Sequence, residues 1–473
     1  MDQPRSKRVI VPLIVASAYF MENFDGTVIT TALPSIARSF ASSATAASAG
    51  ITAYMFAVAI FIPVSGWLAD RYGGKRVFRA AIALFTLASM LCGVSRGLFE
   101  FTAARALQGV SGAMMLPVGR LIVLRSTSRA EYVRAMSLVT MPGVVGQIMG
   151  PLLGGFFAGY LTWRWIFFVN LPIGLLGVCL VTLMMEEHAA QARSQFDWRG
   201  ACLVGVAVGC LISGLSVMAS SPGMSLAVLL FAVGLAAAVG AMRHLGTCRH
   251  PLLELRLFGI ATFARGAWGT FLFRLAAAAF GFVLPLLLQL VLGMKPFVAG
   301  VLVFGSAIGA FAMKGMAPPV LRRFGFRSVL LFNGVLSALS ILACLGFGLA
   351  TPMLLIAGIL LAGGFTRSLQ FAALNAVVYA DVEPPSMSAA TSFASMLQPL
   401  ASAAGIAASA LLLRVSAGGG AVHQTLSTFD MRITLLAIGT IALGAAWPFL
   451  AMSHAAGAEL SGRRPLQGST KPR

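Results

Sequence analysis

Residues 9–37 read VIVPLIVASAYFMENFDGTVITTALPSIA, an apolar run long enough to cross a membrane as a helix. Its second half carries two acids, Glu22 and Asp25, which lie three residues apart and therefore share one helix face. A charged side chain at the centre of a bilayer costs at least about 2.5 kcal/mol, so such residues face a cavity or a partner. If the protein moves protons, we expect these two acids to carry them. The alternative is a structural role, with one or both held by a hydrogen bond or an Arg.

The composition places the rest of the chain in the same environment. Of 473 residues, 58% are hydrophobic and only 10% are charged, whereas a soluble domain carries about 25% charged residues. The net charge of +20 does not indicate nucleic acid, because the basic residues recur in short clusters between apolar runs. Six cysteines without a CxxC pair predict neither a disulfide nor a metal site, and no cofactor is predicted. The sequence is that of an all-α polytopic membrane protein.

Apolar runs of the length that spans a bilayer recur fourteen times between residues 9 and 452. Lys and Arg are concentrated in the loops on the side where the chain begins, which predicts that this side, with both termini, is cytoplasmic. Two basic turns resemble each other, DRYGGKR at 70–76 after span two and RRFGFRS at 322–328 after span ten. If they mark equivalent points, each half has six spans, and such internal repeats are typical of secondary transporters.

This repeat predicts four parts of the chain. They are a six-helix bundle at 1–185, a linker with two extra transmembrane helices at 186–262, a second six-helix bundle at 263–452 and a cytoplasmic tail at 453–473. The longest stretches outside the spans are too short for an appended soluble domain, which disfavours a membrane sensor that transports nothing. Enzyme signatures fail as well, because GVSRG at 93–97 fits GxSxG only in a turn between two spans, and no Walker loop occurs.

The turn after span two, GWLADRYGGKRVF at 66–78, has glycines that allow a tight turn and an acid at a helix end. The string resembles the loop signature of the major facilitator superfamily. The resemblance implies a breakable charge lock that closes the cytoplasmic side, and the alternative is a plain positive-inside loop. The residues assigned to gating on this basis are Gly66, Asp70, Arg71, Gly73, Lys75 and Arg76.

Span five contains PGVVGQIMGPLLGGFFAG at 142–159, whose glycines recur every four residues. This spacing predicts a flat helix face for close packing, with a kink at the proline. The string resembles the fifth-span signature of exporters in the same superfamily, although close helix packing alone would also explain it. The residues of this exporter motif are Gly146, Gly150, Pro151, Gly154 and Gly155.

Span four contains RALQGVSGAMMLP at 105–117, which resembles the fourth-span motif of the family. An Arg inside a span needs a partner, and Arg105 and Asp25 both fall in the outer halves of their spans. A pair between them is geometrically feasible, and the family resemblance links this Arg to proton transfer. The alternative is an Arg that extends to the membrane interface.

Further strings indicate which branch of the superfamily the chain resembles. Two of them, NFDGTVITTALPSI at 23–36 and TWRWIFFVNLPIG at 162–174, resemble the fourteen-span drug:proton antiporters of the EmrB/QacA type. MENFDGTV and SLQFAALNA (368–376) resemble an HsrA-like branch.

The second half departs from the family pattern in its deep charges, which are Arg274 and Arg367. They either anchor an anionic or zwitterionic substrate, or they pair with Glu22, Asp25 or backbone carbonyls. We also assign Gln108 and Asn375 to substrate binding.

The sequence therefore predicts a major facilitator fold with two six-helix bundles and two inserted helices. The resemblance implies a proton-coupled antiporter in the bacterial inner membrane that exports small amphipathic compounds by alternating access. The alternative is a narrow exporter of an anionic or zwitterionic metabolite or lipid. The expected partners are a small-molecule substrate, protons and membrane lipid, and the need for a periplasmic adaptor stays open.

Overall fold

The computed structural model describes residues 5–126, 132–186, 196–220, 224–248, 252–383, 386–417 and 426–452, so the predicted tail lies outside the described residues. Within these ranges the chain is helical without strands and forms fourteen long helices. They are α1 Arg5–Ser39, α2 Ala44–Tyr72, α3 Gly74–Val94, α4 Leu98–Ser126, α5 Tyr132–Tyr160, α6 Trp165–Met184, α7 Trp198–Ser220, α8 Met224–Thr247, α9 Ala261–Val291, α10 Pro296–Phe324, α11 Phe326–Gly346, α12 Met353–Val377, α13 Met387–Ser416 and α14 Thr428–Phe449.

Thirteen of these helices are long and apolar enough to cross a membrane. The remaining helix, α1, carries Glu22 and Asp25 within its apolar run. Its 35 residues nevertheless extend over roughly 50 Å at about 1.5 Å per residue, which exceeds the thickness of a bilayer core. We call the side on which α1 begins the near side and the opposite side the far side.

The helices pack as two six-helix bundles, α1–α6 and α9–α14, so the predicted fold class is confirmed. Helix α1 packs on α5 and α2 on α4 in the first bundle, and α10 packs on α12 and α9 on α13 in the second. The bundles meet where α5 contacts α10 and α2 contacts α13. The inserted helices α7 and α8 pack on each other, and α7 also contacts α13 and α2 beside this junction. The predicted boundaries of the four parts stay a prediction.

Among the described residues, the largest apolar core that the two bundles share lies on the far side. One core cluster there combines the far half of α1, from Phe24 to Ala37, with buried residues of α9 from Ala276 to Leu288. On the near side each bundle has its own core, one containing Val11 to Met21 of α1 and the other Leu321 to Leu330. The apolar cores of the two bundles are therefore separate on the near side, and we call the region between these two cores the gap.

Candidate functional site

An ion pair is completely buried inside the first bundle. Nη1 of Arg105 on α4 lies 2.6 Å from Oδ2 of Asp25 on α1, and both side chains are 0% exposed. Gln108, one helical turn from Arg105, donates to Oδ1 of Asp25 at 2.9 Å and to Oγ of Ser89 at 2.8 Å. It also accepts from Nη1 of Arg105 at 2.5 Å. The structure therefore brings together the acid and the Arg whose pairing the sequence left open, so the interfacial alternative for Arg105 is wrong.

Helix α2 completes the surroundings of the Arg105 guanidinium. The guanidinium carbon lies 4.3 Å from the centre of the Tyr54 ring, and Nε donates to the carbonyl of Gly50 at 3.4 Å. Its Nη2 is buried and has no hydrogen-bond partner among the described residues. Gly109 permits this arrangement, because a Cβ there would collide with the Tyr54 backbone and push α2 away from α4. Sequence reasoning missed Tyr54, since an aromatic residue in an apolar span resembles any other core residue.

Such a pair is not the least costly way to fill a helix bundle. Removing two charges from water carries a desolvation penalty that their attraction often fails to offset, and apolar residues of similar volume are frequently as stable. An ion pair with an unsatisfied donor is therefore best explained by a function that needs a charge, or a change of charge, at this place.

Glu22 occupies a different environment from Asp25, although it lies on the same face of α1. Its side chain is partly exposed, yet Oε2 is buried and has no hydrogen-bond partner among the described residues. It lies close enough to Arg120 for their charges to interact, and Arg120 donates to the hydroxyl of Tyr19. Sequence reasoning missed Arg120, although a charge within an apolar span was the signal that selected Arg105.

The two deep arginines of the second bundle bind polar side chains and rest on aromatic rings. Arg274 donates to Oδ1 of Asn375 at 3.0 Å and lies 4.8 Å from the centre of the Phe371 ring. Arg367 donates to Oγ of Ser306 at 2.7 Å and lies 4.7 Å from the Phe280 ring. The alternative in which Glu22 or Asp25 pairs with these arginines is wrong, because the carboxylate of Asp25 binds Arg105 and Glu22 makes no salt bridge to either arginine within the described part of the chain.

Charged groups of both bundles approach each other across the near-side gap. Tyr379 of the second bundle is close enough to Arg120 of the first and to Arg274 of its own to interact with both charges. Asn375 is exposed beside them, whereas Gln108 is 0% exposed inside the ion-pair network. Of the residues assigned to substrate binding, Arg274 and Asn375 therefore face the gap, and Gln108 does not.

The turn between α2 and α3 has a close counterpart in the second half. Gly73 has a φ of 90° and donates its backbone N–H to Ala69, and Gly325, between α10 and α11, has a φ of 79° and donates to Leu321. This left-handed region favours glycine, so the repeat noticed in the sequence corresponds to a repeated turn geometry. Gly66 lies on an exposed helix face with open space around it, and its presence has no steric explanation.

Basic residues of this turn contact neighbouring elements. Lys75 donates to the carbonyl of Thr182 at 3.0 Å, which fixes the start of α3 to the end of α6. Arg71 is exposed and lies 5.2 Å from the centre of the Trp67 ring. Asp70 is partly exposed in the last turn of α2, and Arg76 is exposed in the first turn of α3.

The glycine face of α5 lies directly against α1. A Cβ at Gly146 would meet Phe20, one at Gly150 would collide with Thr27, and one at Gly154 with the carbonyl of Val28. Thr31 of α1 also donates to the carbonyl of Pro151 at 3.2 Å. The face therefore holds the helix that carries the two acids.

Gly155 points in another direction, towards the second bundle. A Cβ there would collide with the carbonyl of Pro296 and approach Gly300, both in the first turns of α10. The two faces of the exporter motif thus serve different contacts, one within a bundle and one between bundles on the far side.

One polar cluster lies outside the bundles, at the near-side ends of the inserted helices. Asp197, which precedes α7, lies with His244 and Cys248 at the end of α8, and their potential ligand atoms are within 4.8 Å of one another. Partial burial acts to raise the pKa of Asp197, but hydrogen bonds from Gly200, His244 and Leu252 outweigh it and hold that pKa below its ordinary value. The sequence prediction of no metal site overlooked this cluster, because 47 residues separate Asp197 from His244.

Two six-helix bundles that share an apolar core on the far side, with an ion pair buried inside the first bundle, have the architecture of a membrane transporter. Residues 15–247 match the model of the Major Facilitator Superfamily. The chain is 38% identical over 402 residues to the candidate multidrug resistance protein MdtD of Cronobacter sakazakii, covering 85% of each chain. It is 38% identical over 409 residues to the protein of the same name in Shigella sonnei, again with 85% of each covered.

A solved structure, a D-xylose-proton symporter, superposes with a TM-score of 0.68 over 95% of this chain and 98% of the other, at 13% identity. The chain therefore belongs to the major facilitator superfamily. It is a multi-pass membrane protein that transports small-molecule substrates.

Proposed function

We propose that the protein is a proton-coupled exporter of small amphipathic compounds, located in the bacterial inner membrane with both termini in the cytoplasm. The buried Asp25–Arg105 pair carries this proposal, because it is the place where a proton can change the charge balance of the bundle core. The relatives named as multidrug resistance proteins support the export of drug-like compounds. Transport, and not catalysis, would be the activity of the chain.

In the proposed mechanism, protonation of α1 alternates with substrate binding. Burial favours the neutral form of a carboxyl group, and a nearby guanidinium favours the charged form. A shift of α1 relative to α4 would therefore change the proton affinity of Asp25 by changing its distance from Arg105. Glu22, one turn closer to the near side and partly exposed to the gap, would pass the proton between Asp25 and the solvent.

The helix contacts support assignments for the two gates. The far-side contact between Gly155 and the start of α10 would separate when the transporter opens outward. In that state the turn with Asp70, Arg71 and Arg76 would close the near side, as a charge lock that breaks again when the gap reopens. Lys75 already fixes one end of this turn to α6.

A second candidate function is the export of an anionic or zwitterionic metabolite or lipid. It is favoured by the second bundle, in which Arg274 and Arg367 bind neutral polar groups and rings and make no salt bridge to an acid of the described residues. A carboxylate or phosphate in the gap would find the guanidinium of Arg274 within its reach, with Asn375 beside it.

Transport in inverted membrane vesicles tests both functions. We expect cationic and neutral amphipathic compounds to accumulate when a pH gradient is imposed, and the gradient to collapse on addition of substrate. Preferential accumulation of acidic compounds would favour the second function. Accumulation that ignores the pH gradient, or none for any compound in a mixed panel, would contradict proton-coupled export.

A further inference from the structure

The cluster at the base of the inserted helices has the composition of a metal site. His244 lies in the last turn of α8, and Cys248 directly follows the helix with its N–H donated to the carbonyl of His244 at 2.9 Å, so the two side chains lie one turn apart; Asp197 approaches them from the start of α7. Oδ1 of Asp197 lies 2.7 Å from Nε2 of His244, and Cys248 is a free, partly exposed cysteine. An imidazole, a thiol and a carboxylate thus converge from two helices onto one point outside the membrane core.

We propose that Asp197, His244 and Cys248 bind one Zn²⁺ ion, with water as the fourth ligand. Zinc takes nitrogen, sulfur and carboxylate oxygen in tetrahedral sites, with bonds of about 2.0–2.3 Å, and a thiolate disfavours the hard ions Mg²⁺ and Ca²⁺. Binding replaces the hydrogen bond between Asp197 and His244 with one metal bond to each. The thiol of Cys248 gives its proton to the solvent as the sulfur binds the metal.

The carboxylate is already oriented for this role. Its Oδ1 accepts from the backbone N–H of Gly200 at 2.8 Å, and its Oδ2 accepts from the N–H of Leu252 at 3.2 Å. Hydrogen bonds of this kind fix the direction of metal ligands and contribute to affinity. A capping Asp that also holds a His would explain two members of the cluster, but it gives no reason for Cys248 at the same point.

The site would connect the inserted helices to the proposed gate. Phe196 and Trp198, on either side of Asp197, pack on Trp67 with ring centres 5.7 Å and 5.1 Å apart, and Arg71 lies over the same Trp67 ring. A metal ion at Asp197 would therefore rigidify the aromatic group that contacts the α2–α3 turn. This would give the inserted pair a regulatory contact with the transporter, although metal binding itself does not depend on the proposed transport activity.

Cobalt is the probe of choice, because Co²⁺ replaces Zn²⁺ and gives an intense absorption when it binds a thiolate. We would titrate the chelator-treated, full-length protein in nanodiscs with Co²⁺ and with Zn²⁺. The expected result is one metal per chain, a thiolate–cobalt band, and an apparent affinity at least about 10-fold lower in Cys248→Ser and His244→Gln. Cys179→Ser removes an exposed cysteine of α6 and is the matched control, which should keep both the band and the affinity.

A second measurement keeps the test independent of any variant. Zn²⁺ should slow maleimide labelling of Cys248 at least about 10-fold, as read by peptide mass spectrometry, whereas the hard ion Mg²⁺ should leave it unchanged. If labelling of Cys248 is indifferent to Zn²⁺ and no thiolate–cobalt band forms, the cluster is only a hydrogen-bonded link between α7 and α8. A band that survives in Cys248→Ser would also overturn the proposal, because the sulfur ligand would then lie elsewhere.

Discussion

The fourth helix of each bundle carries the same short pattern, RALQ at 105–108 in α4 and RSLQ at 367–370 in α12, but the two arginines have different partners. In the first bundle the partner on α1 is the carboxylate of Asp25. In the second bundle the partner on α9 is the ring of Phe280. Only the first arrangement contains a group that can gain or lose a proton. The two bundles therefore share a helix framework, but only the arginine of the first bundle is paired with a group that can take part in proton transfer.

The glutamines of the two patterns show how far the framework extends. Gln108 donates to Ser89 on α3, and Gln370 accepts from Asn333 on α11 at 2.9 Å. In both bundles the fourth helix is therefore bound to the third through the same glutamine position. The first helix differs, because an acid in one half is replaced by an aromatic ring in the other, and the second helix contacts the arginine through the Tyr54 ring in one half and the Ser306 hydroxyl in the other.

The largest expected effect comes from breaking the ion pair. Asp25→Asn leaves the buried Arg105 without a counter-charge, and removing one member of such a pair costs about 3–5 kcal/mol. We expect the apparent free energy of unfolding in mixed micelles to fall by this amount and transport driven by a pH gradient to be lost. Exchange of labelled for unlabelled substrate, which moves no net proton, should be less affected.

The double variant Asp25→Asn with Arg105→Gln separates the two consequences. Both charges are then absent, so stability should return close to that of the unmodified protein while gradient-driven transport stays absent. A single variant as stable as the unmodified protein would mean that the pair is not energetically coupled, and the comparison between the bundles would lose its basis.

The next largest effect concerns the helix that presents Asp25. Gly150→Leu places a side chain where α5 touches Thr27 of α1, and overpacking of this kind costs about 1–3 kcal/mol or more. Because α1 must move away from α5, we expect transport to be abolished. Gly358→Leu in α12, where the glycine is exposed to open space on the helix face opposite Arg367, is the matched control and should transport normally. Equal activity of the two variants would show that the glycine face is not needed to position α1.

A smaller effect is expected in the second bundle. Arg274→Gln removes the charge that faces the gap, and a hydrogen bond to a charged group contributes about 1.5 kcal/mol or more, or roughly a tenfold change in affinity. Apparent affinity for acidic compounds should fall by that factor and that for cationic compounds should not, as measured by competition in vesicles. Arg322→Gln, at an exposed arginine near the end of α10, is the control. Equal losses for both compound classes would indicate that Arg274 is structural.

The sequence alone was sufficient to predict the helices and to select residues whose charge conflicts with an apolar span. Fourteen apolar runs predicted fourteen helices, and charges inside those runs selected Asp25, Glu22 and Arg105 because a charge in a bilayer is costly. The same rule applied to Arg120, which was overlooked beside the stronger motif at the start of its helix. Charge cost alone identifies which residues need a partner, and it does not identify the partner.

Some partners of the charged residues could be identified only from the structure, because they are residue types that are common in apolar spans. Tyr54 and Phe280 hold the two arginines of the repeated pattern, but aromatic residues in apolar spans carry no sign of this in the sequence. The Asp197–His244 contact joins residues of two helices across the whole inserted pair, so no local spacing announces it. Contacts between distant segments depend on how the helices pack, which apolar periodicity leaves undetermined.

The smallest expected effect tests the neutral partner of the second bundle. Phe280→Leu removes the ring face under Arg367, and a desolvated cation–π contact contributes about 0.5–2 kcal/mol. Truncating any buried Phe also costs packing, so the matched control is Phe263→Leu in the same helix, which is equally buried but contacts other aromatic rings. We expect Phe280→Leu to be less stable than Phe263→Leu by that margin, with the number of protons exchanged per substrate unchanged. A change in proton number in Phe280→Leu would show that Arg367 takes part in coupling, and the division of chemistry between the two bundles would then be wrong.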